Sequence, residues 1–160
     1  MLIAVLSDTH RMGKYINMVR EHIKKADILI HLGDNVEDAE ELSSNFHGEV
    51  YIVSGNCDYS TKYPKERVIE IEDKRIFLTH GDLYGVKYNL NNIYYRTREL
   101  DADIALFGHT HKSIIEKVHN ITLMNPGSLS LPKNEGRYIG FLELNKGEEP
   151  NIYLEEISVN

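Results

Sequence analysis

Ser7-Asp8-Thr9-His10, Gly33-Asp34, Gly55-Asn56-Cys57-Asp58, His80-Gly81-Asp82 and Gly108-His109-Thr110-His111 each stand at the end of a largely apolar run. Their carboxylates, imidazoles and amide can all hold metal ions through oxygen or nitrogen. Such a mixed shell suits manganese, iron, zinc or nickel better than calcium or magnesium. The candidate ligands are Asp8, His10, Asp34, Asn56, His80, His109 and His111. These are too many for one ion with an open position, but they divide between two if one carboxylate bridges. Asp34 is central in the order and has two oxygens to share, which makes it the candidate bridge. Each residue also has a plainer use: Asp8 and Asp34 could cap the helices that follow them, and a lone His80 could be a packing residue.

The ligand reading requires the fold to bring the blocks together. The runs at 2–6, 26–32 and 49–55 read as buried strands, with helical apolar spacing at 14–25 and 36–46 between them. This alternation argues for parallel strands joined by right-handed crossovers. In such sheets ligands bind beyond the carboxyl ends of the strands. The stretch "ERVIEIEDKRIFLTHG" then reads as a hairpin about Asp73-Lys74, and Leu90, Ile93, Tyr94 and Leu100 mark a helix. "ADIALFG" is another buried strand, and four strand-like runs follow, the last two forming a hairpin. The expected architecture is α/β, with two mixed sheets and helices on the outer faces.

Composition narrows the possibilities. A chain of 160 residues with 41% hydrophobic and 27% charged residues fits one globular domain, expected over 1–160. No apolar run reaches the length of a membrane span, and the N-terminus has no signal-type basic region or cleavage site, so the default location is cytoplasmic. The single cysteine, Cys57, excludes an intrachain disulfide framework and a cysteine-based zinc knot. A net charge of -7 disfavours nucleic acid as a partner, though not a nucleotide or small phosphate ester as substrate. Ten tyrosines stand against no tryptophan, and Tyr84, Tyr88, Tyr94 and Tyr95 cluster, as in an interface of a homo-oligomer (a dimer or tetramer).

Taken together, "DTH", "GDN", "GNCD", "THGD" and "GHTH" resemble the blocks of the calcineurin-like metallophosphoesterases, from Met1 to about Ser128. Within that superfamily the chain is similar to the small YfcE-type phosphodiesterases, whose fold Vps29 shares. The resemblance implies a four-layer α/β/β/α sandwich. It implies a phosphodiesterase in which a hydroxide bridges two divalent ions, manganese first, with nickel, iron or zinc as alternatives. Asp8, His10 and His111 would hold the first ion, Asn56, His80 and His109 the second, and Asp34 both. Asp34, Asn56, Cys57 and Asp58 are the expected catalytic group.

One position departs from the wider superfamily. Cys57 stands where many members carry a histidine thought to protonate the leaving group, which leaves the general acid open; good leaving groups need none. Arg11 and Lys112 flank ligand blocks and could meet phosphate oxygens. Asn35 could touch substrate. Asp82 could orient a ligand histidine, and Asn125-Pro126-Gly127-Ser128 could hold a loop near the site. His22, His47 and His119 have no such context. Rival functions are a phosphomonoesterase or nucleotidase, a nuclease, and a Vps29-like interaction scaffold; the intact ligand positions weigh against the last.

Overall fold

The computed structural model describes residues 1–59 and 62–158. Strands β1 (Leu2–Leu6), β2 (Ile28–His31) and β3 (Glu49–Ile52) run parallel. The closing hairpin, β9 (Tyr138–Glu143) and β10 (Asn151–Glu156), extends this sheet antiparallel, giving the order β10-β9-β1-β2-β3. The second sheet contains β4 (Glu66–Ile71), β5 (Lys74–Thr79), β6 (Ile104–Leu106), β7 (Ile114–Val118) and β8 (Ile121–Asn125). Its order is β4-β5-β6-β8-β7, with β5, β6 and β8 parallel.

The period of two in each strand sets the layers. From β1, Ile3 and Val5 enter the core between the sheets, where they join Ile30, Ile76, Leu78, Leu106 and Leu142. Ala4 and Leu6 face the other way, onto Val19 and Ile23 of α1 (Ile16–Ile23) and Leu42 of α2 (Val36–Ser43). On the far side, Phe77, Ala105 and Leu123 pack against Ile93 of α3 (Asn91–Glu99). The result is the four-layer α/β/β/α sandwich of two mixed sheets.

The regular elements are shorter than the apolar patterns. α1 covers 16–23 of the expected 14–25, with a 3₁₀ turn at Gly13–Tyr15, and α2 stops at Ser43 rather than 46. β3 ends at Ile52 rather than 55, because Ser54 N–H leaves the sheet for Pro64 O at 2.8 Å. The tyrosine cluster divides. Tyr84 hydrogen-bonds Glu66 and Tyr94 packs on Tyr95, whereas Tyr88 is 91% exposed. Among the described residues no helix is long and apolar enough to cross a membrane.

Candidate metal centre

The loops after β1, β2, β3, β5 and β6 leave the carboxyl ends of their strands and are bonded to one another. Asp8 N–H donates to Gly33 O at 2.9 Å, Thr9 N–H to Asp34 O at 3.0 Å, and Gly108 N–H to His80 O at 2.9 Å. The contact is so close that a Cβ on Gly108 would lie 1.9 Å from Ser7 Oγ, and one on Gly55 would lie 2.1 Å from Asp34 Oδ1. Asp8, His10, Asp34, His109 and His111 all have positive φ, between 42° and 70°. Aspartate and histidine tolerate this region better than most residues, yet each such residue costs about 1–3 kcal/mol, which the surrounding structure must offset.

Two clusters result, Asp8 with His10 and His111, and Asp34 with His80 and His109; within each, the ligand atoms lie within 4.8 Å of one another. Each carboxylate commits one oxygen to the protein and turns the other inward. Asp8 Oδ2 accepts from Ser7 Oγ–H at 2.6 Å and from His109 N–H at 2.9 Å. Asp8 Oδ1 is buried without a hydrogen bond, 3.1 Å from His111 Nε2, 3.7 Å from His10 Nε2 and 3.8 Å from His80 Nε2. Asp34 Oδ1 accepts from Cys57 N–H at 2.9 Å, while Oδ2 lies 3.3 Å from His80 Nε2 and 3.9 Å from His10 Nε2.

The imidazoles are aimed by main-chain carbonyls. His80 Nδ1–H donates to Leu32 O at 2.8 Å and His111 Nδ1–H to Leu131 O at 3.1 Å. A carbonyl can only accept, so in a neutral ring the lone pair is on Nε2, facing the carboxylates. His80 Nε2 is itself a buried atom with no hydrogen bond. Acceptors crowded this closely repel unless a cation lies among them. This donor set, with its oriented rings and orphaned inner atoms, fits divalent metal.

Charge coupling runs through the cluster. Burial would raise the Asp8 carboxyl, but the nearby imidazoles of His10 and His111 and the charge of His80 hold it well below the usual range. The nearby Asp8 carboxylate raises His10, whereas burial, followed by the charges of His80 and Lys87, lowers His109.

The remaining sequence candidates are placed differently. Asn56 is exposed on the β3 loop, with its amide nitrogen 3.7 Å from Cys57 Sγ. Desolvation, then the charge of Asp34, pushes the Cys57 thiol up, which keeps it protonated at neutral pH. Asp58 is engaged with the backbone. Its carboxylate accepts from the backbone N–H of Asp34 at 2.8 Å, Asn35 at 3.2 Å, Val36 at 3.0 Å and Gly55 at 2.7 Å. It caps α2 from a neighbouring loop, where Asn35 makes no side-chain cap, and so positions Asp34. Asp82 makes no hydrogen bond to a ligand histidine among the described residues; the carbonyls of Leu32 and Leu131 do that work for His80 and His111.

Three supporting residues carry little or no sequence signal as site residues. Asp38 Oδ2 holds the N–H groups of Arg11 at 2.9 Å and Met12 at 3.3 Å, though an acid in a helix's first turn ordinarily reads as a dipole partner. His31 bridges Thr9 Oγ1 at 3.0 Å and Gly33 N–H at 3.2 Å; full burial pushes its pKa down to about 4. Ser128 Oγ–H donates to Asp8 O at 2.6 Å; its Asn-Pro-Gly-Ser composition was the one cue to that loop.

Residues 1–147 match the calcineurin-like phosphoesterase superfamily domain. The chain is 35% identical over 136 residues to the probable metallophosphoesterase YsnB of Bacillus subtilis, covering 83% of this chain and 78% of that protein. It is 36% identical over 104 residues to the phosphodiesterase YfcE of Escherichia coli, covering 59% of this chain and 52% of that protein. The YfcE structure superposes with a TM-score of 0.68 at 28% identity, over 89% of this chain and 88% of that one. Vps29 of Entamoeba histolytica, in a structure described as complexed with zinc, shares the fold with a TM-score of 0.79 at 22% identity, over 98% of this chain and 99% of that one.

Proposed function

We propose, for a chain that belongs to the calcineurin-like phosphoesterase superfamily, metal-dependent hydrolysis of phosphodiesters at two divalent ions. The observation that carries this reading is the pair of inward oxygens, Asp8 Oδ1 and Asp34 Oδ2, within 3.9 Å of imidazole Nε2 atoms drawn from both clusters. Asp8, His10 and His111 would hold one ion, His80, His109 and Asn56 the other, and Asp34 would be shared. Such ions, when bound, supply Lewis acidity toward the phosphoryl oxygens and an acidified water shared between them. Manganese suits the donor set first, with nickel, iron or zinc as alternatives.

The chain's own residues prepare the site. Asp58 fixes the Asp34 backbone and Cys57 N–H its carboxylate, Leu32 O and Leu131 O fix two imidazoles, and Ser128 fixes the Asp8 turn. No side chain is assigned as nucleophile: hydrolysis is by direct displacement without a covalent enzyme intermediate.

The test is a substrate panel on metal-stripped and manganese-reloaded protein: an aryl phosphodiester, the matching aryl monoester, and 2′,3′- and 3′,5′-cyclic nucleotides. Stripped protein should be nearly inactive, and manganese should restore diester turnover. Monoesters turned over above every diester would replace this reading with a phosphatase. No turnover with two ions bound would leave a binding protein.

A further inference from the structure

A cavity of about 680 Å³ lies against the candidate metal centre, within the ordinary range for a small-molecule site. One wall is the ligand loop itself: Thr110, between His109 and His111, lines it. Thr110 is held there by Asn125 Nδ2–H at 2.9 Å and by Lys112 N–H at 3.1 Å. The 133–134 segment adjoins this wall, with Lys133 N–H donating to His111 O at 2.9 Å and Asn134 paired with the Ser113 backbone. The third wall is the loop between β5 and α3, with Lys87 and Leu90. Lys87 is close enough for its charge to act on His109.

The lining is unusual for this chain. Lys87, Lys112 and Lys133 all face the cavity, and none forms a salt bridge among the described residues. Unpaired cations gathered at one place stand out in a chain with 25 acidic and 18 basic residues. Among the described residues Glu116 is the one acidic residue in the lining. Between the lysines lie an apolar surface, Val86, Leu90 and Ile114, and the amides of Asn89 and Asn134. Apolar surface suits a flat ring, amides suit its polar edge, and spare ammonium groups suit an anion beyond the scissile phosphate.

We propose that this cavity receives one arm of the diester substrate, and that the arm is a nucleoside carrying a phosphate of its own. The turnover part of this proposal rests on the phosphodiesterase reading; the binding part does not.

Three esters with a common 4-nitrophenol leaving group separate the contributions: a methyl phosphodiester, a nucleoside 5′-phosphodiester, and its 3′-phosphorylated form. On manganese-loaded protein kcat/KM should rise in that order, with at least about a tenfold gain from the added 3′-phosphate. Lys87→Ala/Lys133→Ala should remove most of that ratio, measured between two substrates on one preparation. On metal-free protein, calorimetry with a nucleoside 3′,5′-bisphosphate should show binding that the double variant weakens about tenfold. Equal kcat/KM for all three esters overturns the proposal and leaves phosphodiester hydrolysis standing. So does bisphosphate binding equally to wild type and variant. Failure of all three esters together with bisphosphate binding would overturn the phosphodiesterase reading and retain the subsite.

Discussion

The two ligand clusters have similar chemistry but differ in enclosure. The His80 side chain is fully buried, whereas those of His10 and His111 retain 24% and 18% exposure. His80 extends from β5 in the second sheet and is pinned to Leu32 of the first, so both sheets fix it. Among the described residues His10 has no carbonyl partner; its Nε2 faces His111 Nε2 at 3.2 Å. In the Asp34 cluster His80 is therefore anchored by the core while His109 is partly exposed, and in the Asp8 cluster both histidines are open to solvent.

The variant that most directly breaks this contrast is Asp34→Asn, because Asp34 would serve both ions. It should cut kcat/KM by more than the roughly 10–100-fold typical of a supporting partner, and elemental analysis should show fewer than two ions retained. The contrast sharpens with His80→Gly and His10→Gly. Both should lose activity, but added imidazole should restore the His10 variant and not the His80 variant, since only the first opening reaches solvent. Equal rescue would mean that burial does not divide the clusters. Asp58→Ala should follow, at about 10–100-fold in kcat/KM, with a lowered thermal midpoint because four backbone N–H groups lose their acceptor.

A smaller effect tests the buried side through pH. His31 has a folded pKa of about 4 against an ordinary 6.5, so the unfolded chain binds the extra proton between those values. Stability therefore rises with pH, is fully present above about 6.5, and falls as the solution is acidified toward 4. Urea unfolding of metal-free protein should lose about 2 kcal/mol from this group between pH 7 and pH 5, and His31→Gln should flatten that limb. Cys57→Ala is expected to change aryl-diester kcat/KM least, within a few-fold. A loss larger than that of Asp34→Asn would give the thiol a central role.

The layers were legible because apolar periodicity reports burial. Ile3 and Val5 against Ala4 and Leu6 already describe a strand with two buried faces. The ligand blocks were legible because polar residues at the ends of buried strands have few uses. Asp58 marks a limit of local pattern: "GNCD" shows a carboxylate beside candidate ligands, but not that four amides from two loops donate to it. Asp38 and His31 act across 26 and 22 residues, on Met12 and Thr9, and local pattern has no access to such pairs. The lysine-lined cavity was hidden likewise, since Lys87, Lys112 and Lys133 meet only in three dimensions.

The left-handed backbone at Asp8, Asp34 and the histidine pair His109 and His111 has a bearing on how such a chain can change over generations. Valine, isoleucine and threonine are poorly suited to these places by main-chain geometry alone, whatever the selection on activity. Asparagine and glycine are well suited. One nucleotide change, from aspartate to asparagine or glycine, would then remove a charge that metal needs while keeping the turn that the sandwich needs. Chemistry and shape are separable here in a single step. A lineage with this scaffold could lose its hydrolytic activity and keep an intact surface available for other uses.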